Sequence, residues 1–525
     1  MCLVLVCGLN KKENSCVKGK NMRTQKSIIN IVVGVLLQLT VMLCGFLVRN
    51  MFIEVYGSTV NGLVGAVDQI ISSLAIVEGG ISAAAVVMLY APLQERNYKK
   101  VEDILDSSRK FFIKSGLIYL LLVTIIVIFY PYLVSKQVPI LEVRLLIIVL
   151  SAGGVIEFFL FSKYKVLLIA DQKIYILDIL QAVSQIVSTV IILFLIQNNV
   201  HFLIVRLMGA VVIAVRLMLV YLYFKKTYPQ LKFRRSKEKV DLPQRWGVLY
   251  HQISSVVLYN TDLFLITIFM GSKSLVEVSI YGVYNLISLS VINIVSSITS
   301  GVQASFGDLL VSKNEEKIKS VYRKFELITF YIISIIYICF IVLLGPFIQV
   351  FTARFTDANY NNFGFVLLFS IIVICQGMRI PTVTVVAAAG HYKQTQFRAL
   401  TEASINIIVS ISLIPIFGVH GILLGTITAY LYRNTDLLLY VNKYLIKGIL
   451  SLTLRRMFMF IATIIATSTF LLHFIRNMVF YSYFQWIALG FGVFIIALVM
   501  VTAVTFICHK DDVKDIISFL KRFID

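Results

Sequence analysis

The sequence predicts an all-α polytopic membrane protein with fourteen transmembrane helices, arranged as two parallel six-helix pseudo-repeats followed by two C-terminal helices. Three observations predict it: the composition, the distribution of positive charge, and short matches at a fixed spacing. Of 525 residues, 59% are hydrophobic and 14% are charged, whereas soluble domains are about 45–50% apolar and about 25% charged. This composition excludes an ordinary cytosolic enzyme, a disordered protein and a fibrous protein.

Fourteen stretches reach the length of about 20 mostly apolar residues that a membrane-spanning helix needs. They are residues 28–49, 61–91, 111–134, 142–170, 174–196, 202–224, 246–270, 279–310, 324–351, 362–388, 396–416, 419–442, 452–473 and 482–508. Several stretches exceed the minimum, so these helices must tilt, kink or project from the bilayer. The shortest separations, at 171–173 and 417–420, contain polar residues or glycine that suit a tight turn.

The positions of lysine and arginine support this count, because the cytoplasmic loops of membrane proteins carry an excess of both. With the N-terminus in the cytoplasm, the predicted inner segments hold 38 of the 48 Lys and Arg residues and the outer segments hold 5. The net charge of +21 therefore indicates loops facing anionic headgroups rather than nucleic-acid binding. An even number of helices places both termini in the cytoplasm. If two neighbouring stretches were wrongly counted as membrane helices, the sides of all later loops would not change. Twelve helices is therefore the alternative count.

Short matches about 220 residues apart indicate an internal repeat. The segment VLLIADQK at 166–173 resembles VAAAGHYK at 386–393, and KKVE at 99–102 resembles EKIK at 316–319. Both matches have the same position relative to a predicted helix, so the repeat contains six helices. Because six is an even number, both copies enter the membrane from the same side, which makes the repeat parallel.

The predicted domains follow from this repeat. They are a cytoplasmic N-terminal segment 1–27, a six-helix half 28–224, a basic cytoplasmic linker 225–245, a second six-helix half 246–442, two further helices within 443–508, and a cytoplasmic tail 509–525. The first 21 residues lack the positive region that opens a secretory signal. We therefore favour Met22 as the start of the chain.

The sequence contains no motif of a known enzyme class. It has no P-loop, HExxH, nucleophile elbow or dinucleotide-binding fingerprint. The seven cysteines form neither a CxxC pair nor a Cys/His cluster, so no metal site is predicted. We expect a transporter rather than an enzyme, without a cofactor, driven by a gradient, by the membrane potential or by downhill flow of substrate. A coupling ion of unknown identity is compatible with this expectation.

The candidate functional residues are ionisable side chains within the predicted helices, because such groups are costly in a bilayer and usually face a cavity or a partner. The candidates for substrate binding and transport are Arg49, Asp68, Glu78, Arg216, Asp262, Arg379 and Arg433. Arginine suits phosphate because its planar guanidinium group gives bidentate, permanently charged contacts. The mixture of both signs favours an anionic or amphiphilic substrate over a neutral sugar.

Structural alternatives exist for several charged residues. Arg49, at the outer end of its helix, would equally well reach the outer headgroups. Arg433 and Asp436 are spaced i, i+3 and would equally well form a structural ion pair. Arg206 lies only four residues into its predicted helix, so we expect it to snorkel to the headgroups. For Glu157, close to a basic cytoplasmic segment, structural and functional roles are equally weighted.

Local sequence favours a functional role at three of the candidates. Asp262 ends a polar run, YNTD, near the middle of an apolar helix. Glu78 is followed by two glycines, which permit close helix approach or local unwinding. Arg379 precedes Pro381, where the helix should kink and free backbone carbonyl groups.

A set of glycines, small residues and short motifs in the stretch 46–105 forms a distinctive pattern: Arg49, Gly57, Gly62-Leu63, Glu78-Gly79, Ala83–Ala85, Leu89-Tyr90-Ala91-Pro92-Leu93, Lys100-Val101 and, further along, Asn260-Thr261-Asp262. In these residues the chain resembles the polysaccharide flippases of the multidrug/oligosaccharidyl-lipid/polysaccharide exporter superfamily, particularly those of Gram-positive bacteria. Tyr56-Gly57 stands where Leu-Gly is expected. Outside these residues the resemblance is one of architecture: fourteen helices in two six-helix halves plus two.

The resemblance implies translocation of an undecaprenyl-pyrophosphate-linked oligosaccharide from the inner to the outer leaflet of the bacterial cell membrane, by alternating access, for capsule or exopolysaccharide synthesis. It implies a cationic cavity enclosed by the two halves and a groove for the lipid tail beside the last two helices. The candidates for the pyrophosphate are Arg49, Arg216, Arg379 and Arg433. Those for sugar hydroxyls, cation coupling or gating are Asp68, Glu78 and Asp262. The implied partners are the lipid-linked oligosaccharide, membrane lipids, a polysaccharide polymerase and glycosyltransferases.

Three other functions stay open, of which a non-transport membrane scaffold is disfavoured by the charges within helices of both halves. A multidrug or cation antiporter of the same superfamily would have twelve helices and a cavity dominated by acidic residues, whereas arginines are as frequent as acids in the central helices here. An integral-membrane polysaccharide polymerase would have a long outer loop with catalytic residues. No predicted outer loop of this chain exceeds roughly a dozen residues.

Overall fold

A computed structural model describes residues 17–78, 80–231, 245–311, 314–476 and 478–516. Over these residues the chain forms helices and no strand. Three predicted segments lie partly outside the described residues: the N-terminal segment, the basic linker and the C-terminal tail. Gly79 of the resemblance motif also lies outside them.

The first part of the chain forms seven α-helices among the described residues. They are α1 (Val17–Ser73), α2 (Ile81–Gln94), α3 (Tyr98–Val134), α4 (Ile140–Ile156), α5 (Ser162–Ala170), α6 (Ile174–Gln197) and α7 (Phe202–Thr227). The helix α1 consists of two arms, because Gly57 has φ 81° and ψ 168° and interrupts the helix. A short 3-10 helix, Leu74–Glu78, follows the second arm, and a π-helix, Glu157–Phe161, joins α4 to α5.

The second part of the chain adds nine α-helices over the described residues. They are α8 (Arg245–Phe269), α9 (Ser274–Val311), α10 (Glu315–Phe351), α11 (Phe363–Met378), α12 (Ile380–Ala388), α13 (Tyr392–Phe417), α14 (Val419–Tyr444), α15 (Leu450–Ile475) and α16 (Tyr483–Cys508). The predicted kink before Pro381 is confirmed, because α11 ends at Met378 and α12 begins two residues later.

The helices agree with a protein that crosses the membrane many times. Twelve stretches of the described residues are long and apolar enough to do so. One of them, Val32–Glu78, contains both arms of α1. The helix α14 is not among the twelve, although it has 26 residues, because its polar stretch 433–436 lowers the mean hydropathy. With the arms counted separately and α14 included, fourteen helical stretches correspond to the predicted ones. The predicted stretch 61–91 is not one helix, however, because a new helix begins after Gly80, which has φ 71°.

The order of the elements repeats along the chain, as the sequence predicts. The helices α3 and α10 both have 37 residues, and each begins after an asparagine N-cap. The Asn97 Oδ1 atom accepts a hydrogen bond from the Lys100 backbone N–H at 3.1 Å, and Asn314 Oδ1 accepts one from Lys317 N–H at 3.0 Å. The helices α5 and α12 both have nine residues.

A tyrosine packed on a glycine also occurs once in each copy. A methyl group at Gly154 would lie 2.5 Å from the Tyr119 hydroxyl, and one at Gly377 would lie 2.5 Å from the Tyr337 hydroxyl. Only glycine leaves space for the ring at these two positions. The matching contacts come from α3 with α4 and from α10 with α11, which are equivalent pairs in the repeat.

The turns at 171–173 and 389–391 are equivalent in the repeat and are both held by a tyrosine. Tyr228 donates a hydrogen bond to the Asp171 carboxylate at 2.5 Å, and the Lys173 ammonium lies 2.7 Å from the same oxygen. In the second copy, His391 Nδ1 lies 2.9 Å from the Tyr440 hydroxyl. Burial of Tyr228, followed by its hydrogen bond to Asp171 and the charge of that carboxylate, raises the pKa of this tyrosine. The hydroxyl therefore stays a donor to Asp171.

The described residues form two compact units. The first, called the N-unit here, comprises Val32–Val283 and Thr395–Ile407. The second, called the C-unit, comprises Tyr284–Gln394 together with the described residues before Val32 and those from Ile408 onward. The helices α1, α9 and α13 contribute residues to both units. The division into halves at 225–245 rests on the repeat and stays a prediction.

In the N-unit, the second arm of α1 contacts the backbone at the start of α9. A Cβ atom at Gly62 would lie 1.7 Å from the carbonyl oxygen of Leu275. One turn further along α9, the Asn61 amide donates to the Ser279 hydroxyl at 2.7 Å. Gly62, part of the resemblance motif, therefore allows a helix approach that no other residue would permit.

In the C-unit, a buried ion-pair network joins α10 and α15 to residues 510–516, which are helical. The Arg456 side chain is fully buried and donates to Glu326 at 2.8 Å and to Asp512 at 2.6 Å. Thr453 donates to the other Glu326 oxygen at 2.5 Å. Arg456 lies near the cytoplasmic start of the predicted helix 452–473 and is not among the predicted site residues, so this network was not predicted.

The substitution Gly62→Ala should destabilise the protein, because the added methyl group meets backbone atoms that cannot rotate away. Overpacking of this kind costs about 1–3 kcal/mol. We expect a lower melting temperature in detergent, measured by intrinsic fluorescence. Gly492→Ala is the control, since a methyl group there has no neighbour within 4 Å. An unchanged melting temperature for Gly62→Ala would contradict the packing described.

The substitution Arg456→Ala should be more damaging, because it leaves the Glu326 and Asp512 carboxylates without their cation. Breaking a buried ion pair by removing one partner costs about 3–5 kcal/mol. The adjacent residue gives a matched control, since Arg455 is exposed and Arg455→Ala should be nearly neutral. The measurement is the yield of monodisperse protein after membrane extraction, together with its melting temperature. Equal behaviour of the two variants would refute the assignment.

Candidate functional site: a cationic cavity in the N-unit

The N-unit contains a cavity of about 360 Å³ within the group of membrane helices. Both arms of α1 line it, together with α4, α6 and α7. Small residues keep it open: Gly45 and Gly65 on the two arms of α1, Gly153 on α4, and Gly209 on α7. The kink at Gly57 matters here, because it allows two consecutive arms of one helix to face the same space.

Four ionisable side chains line this cavity: Arg49, Asp68, Arg206 and Arg216. With one charge on each guanidinium group and one on the carboxylate, the net charge of the wall is +2. Neutral hydrogen-bonding groups complete the lining, and they are Asn61, Ser184, Gln185, Ser188 and Thr189. The cavity can therefore hold an anion and offer hydrogen bonds to hydroxyl groups.

Arg49 reaches across the N-unit from the first arm of α1. Its Nη1 atom donates to the carbonyl oxygen of Gly282 on α9. The backbone there leaves little room, because a Cβ atom at Gly282 would lie 3.4 Å from the guanidinium group. The headgroup-facing alternative for Arg49 is therefore wrong, and the side chain belongs to the cavity wall.

Arg206 also lines the cavity, contrary to the prediction that it snorkels to the headgroups. Its guanidinium carbon lies 4.6 Å from the ring centre of Phe52, a buried residue of the first arm. A cation over an aromatic face is stabilised by about 0.5–2 kcal/mol. The Asp68 carboxylate attracts Arg206 as well. Both interactions hold the side chain inside the unit rather than at the membrane surface.

Asp68 balances part of the positive charge. It lies within electrostatic range of both Arg206 and Arg49. Its side chain is exposed although protein surrounds it, as expected for a group on the wall of an internal cavity. Neither Asp68 nor Arg216 forms a hydrogen bond, or an ion pair of 4.0 Å or less, with any residue in the part of the chain that the structure describes. Charges in this setting need water or a ligand, since burying them unpaired in an apolar medium is very costly.

Arg216 lines two cavities. The second is a smaller cavity of about 60 Å³, which it lines together with Glu157 and Lys165. Glu157 is the first residue of the π-helix, and its carboxylate lies 2.8 Å from the Lys165 ammonium. Helices of this type often occur at functional sites. The position of Arg216 thus connects the large cavity to a second charged group.

Two of the predicted site residues in the N-unit lie outside the lining of the large cavity. The Glu78 carboxylate accepts a hydrogen bond from the Ser82 backbone N–H at 3.2 Å, so it caps the first turn of α2. Asp262 is buried and accepts a hydrogen bond from the Tyr281 hydroxyl at 2.5 Å. Both residues therefore have structural contacts in the described structure, and a transport role for either stays a prediction.

The other two predicted site residues lie in the C-unit. The Arg379 guanidinium carbon, at the break between α11 and α12, lies 4.7 Å from the ring centre of Tyr430. Arg433 is buried and pairs with Asp436 at 3.1 Å, as the i, i+3 spacing predicts, and a transport role for Arg433 stays a prediction. The break also frees the Cys375 carbonyl oxygen, which accepts a hydrogen bond from the α14 residue Asn434 at 2.9 Å.

The repeat relates two of these arginines. Arg216 on α7 and Arg433 on α14 are 217 residues apart, as are the first residues of the two helices, Phe202 and Val419. They therefore occupy equivalent helical positions. Arg216 faces a cavity, whereas Arg433 is neutralised by Asp436. The N-unit copy is thus the one available to a ligand.

We predict that the large cavity contains water and has a positive potential. In a chain without its native cysteines, Ser188→Cys on α6 should react with methanethiosulfonates, and the anionic sulfonatoethyl reagent should react several-fold faster than the cationic trimethylammonium reagent. Val190→Cys is the control, because Val190 lies two residues away and is 62% exposed on the apolar surface, where the reactive thiolate does not form. Equal rates for the two reagents would contradict a positive cavity.

The fold is shared with known membrane transporters. No model of a protein family and no curated protein matches this sequence. Among solved structures, the chain is similar to the lipid II flippase MurJ in an inward closed conformation, with a TM-score of 0.64, 14% identity, and coverage of 90% of this chain and 99% of that one.

Two MATE transporters show the same likeness. An inward-facing multidrug resistance MATE family transporter of the MOP superfamily matches with a TM-score of 0.57 and 12% identity, over 78% of this chain and 99% of that one. The eukaryotic MATE transporter AtDTX14 matches with a TM-score of 0.52 and 15% identity, over 81% and 100%. This chain is therefore a multi-pass membrane protein with the fold that MATE transporters and the flippase MurJ have in common.

Proposed function

We propose that the protein translocates a lipid-linked oligosaccharide, carried on undecaprenyl pyrophosphate, from the inner to the outer leaflet of the bacterial cell membrane. The observation that carries the proposal is the cavity wall with three arginines and one aspartate, buried among membrane helices. In this proposal the protein performs no covalent chemistry and both termini lie in the cytoplasm. The lipid tail stays in the bilayer while the polar head passes through the cavity.

The physical problem that such a cavity solves is the transfer of a charged head group through hydrocarbon. A pyrophosphate and its sugars would lose their hydration there, which is prohibitively costly without compensation. Guanidinium groups replace water well, because each offers several N–H donors in a plane that matches phosphate oxygens. The serine, threonine and amide side chains of α6 are suited to sugar hydroxyls. Asp68 then limits how tightly an anion is held.

The charge of the cavity favours this proposal over the main alternative, an antiporter for organic cations. A cation would be repelled by three arginines against a single aspartate. The shared fold does not choose between the two, since both a lipid II flippase and multidrug transporters have it. The proposal extends to a pathway position: glycosyltransferases supply the lipid-linked oligosaccharide, and a polymerase or transferase at the outer face consumes it to make capsule or exopolysaccharide.

The proposal predicts that Arg206→Gln and Arg216→Gln each reduce surface polysaccharide about tenfold or more, since losing a hydrogen bond to a charged group costs about 1.5–3 kcal/mol. In cells depleted of the native protein and supplied with a variant, lipid-linked oligosaccharide should accumulate on the inner leaflet. The measurements are surface glycan and the fraction of lipid-linked intermediate accessible from outside.

Arg109→Gln is the matched control, since Arg109 is exposed on α3 and lies outside the cavity lining. It should export glycan normally. Normal export by both cavity variants would refute the proposal. If the cavity variants instead lost the efflux of cationic dyes while surface glycan stayed normal, the protein would be identified as an antiporter.

A further inference from the structure

Arg216 occupies the boundary between two cavities, and this position decides what it can bind. It lines the large cavity with the other two arginines, and it lines the smaller cavity with Glu157 and Lys165. The Glu157 carboxylate attracts the Arg216 guanidinium group, although no ion pair joins them within 4.0 Å. Arg216 therefore has two competing anionic partners: a carboxylate of the protein and any anion in the large cavity.

Glu157 forms an ion pair with a different cation, Lys165. Its carboxylate pairs with Lys165 at 2.8 Å, and the two side chains are 34% and 52% exposed. Residues eight apart on a straight α-helix are separated by about 12 Å along the axis, too far for this contact. The pair forms because the π-helix and the bend at Phe161, with φ −115°, lie between the two residues.

The π-helix therefore determines which charged side chains meet. It brings Lys165 within ion-pair distance of a carboxylate that lines the same small cavity as Arg216. Ser162 stabilises the π-helix, because its hydroxyl donates a hydrogen bond to the Glu157 carbonyl oxygen at 2.9 Å. Gln181 on α6 is the one neutral polar residue in the lining of the smaller cavity.

We propose that Glu157 and Lys165 are positioning residues that set the affinity of Arg216 for the anionic head group in the large cavity. This inference rests on the function proposed above. While Lys165 pairs with Glu157, Arg216 is available to a phosphate group. When Lys165 releases Glu157, the carboxylate competes for Arg216 and the phosphate is held less tightly. A transporter needs such competition, because its cargo must bind well enough to enter and weakly enough to leave.

The experiment measures the binding of inorganic pyrophosphate to the purified full chain in detergent, by calorimetry at constant ionic strength. Lys165→Gln should weaken binding several-fold, because it frees Glu157 to compete for Arg216. Glu157→Gln should bind at least as tightly as the unmodified chain, because it removes the competing carboxylate. Lys165→Arg keeps the ion pair and should bind as the unmodified chain does. Both side chains are partly exposed, so these variants are expected to fold, and their melting temperatures verify it.

The decisive result is the interaction between the substitutions. If the competition exists, Lys165→Gln has no effect once Glu157→Gln is present, and neither has an effect in the Arg216→Gln background. A general effect of charge would instead be additive in every background. Lys114→Gln, which removes an exposed lysine of α3, controls for that general effect and should change the affinity little.

The outcomes separate this inference from the proposed function. Additive effects of Lys165→Gln and Glu157→Gln, with pyrophosphate still bound through Arg216, would overturn the positioning role alone. Absence of pyrophosphate binding to the unmodified chain, together with normal glycan export by Arg216→Gln, would overturn both. The expected loss of the Lys165→Gln effect in the Glu157→Gln background supports the inference.

Discussion

The cost of placing a charge in hydrocarbon governs this structure. A membrane helix can carry an arginine or a carboxylate only where protein or water replaces the lost hydration. The chain meets this cost in two ways. In the C-unit, the buried cations Arg433 and Arg456 are paired with carboxylates. In the N-unit, Arg206 and Arg216 instead face an open cavity. The two units therefore differ in how they compensate a buried cation: the C-unit pairs it with a carboxylate, and the N-unit places it beside a cavity.

Much of the fold follows from the sequence, because its signals are local or periodic. Apolar length predicts the helices, and the spacing of short matches predicts the repeat that the paired caps Asn97 and Asn314 display. Interruptions are harder to predict. The stretch 61–91 was expected to be one helix, yet Gly80, with φ 71°, begins a new one. The π-helix at Glu157–Phe161 has no marker in the sequence, since it depends on packing against other helices.

The candidate site was predicted in part. Arg49, Asp68 and Arg216 were identified as charges in apolar helices, and the structure brings them together. Arg206 is absent from the predicted site residues, because its position near the end of the predicted helix favours a side chain that points to the headgroups. A better signal was available: residues 206, 209, 213 and 216 fall on one face of a helix. Local spacing predicts the Arg433–Asp436 pair, whereas pairs between distant segments, such as Arg456 with Glu326, have no local pattern.

The equivalent positions of Arg216 and Arg433 have a consequence for the history of the molecule. A tyrosine-on-glycine contact and an asparagine cap persist in both copies, whereas the two arginines have opposite surroundings. This is the pattern that duplication of an ancestral gene followed by divergence leaves. Both copies share these scaffold contacts, whereas only the second copy places a carboxylate, Asp436, beside its arginine. A different neighbour is therefore enough to give two equivalent arginines different surroundings, with no change of the arginine itself.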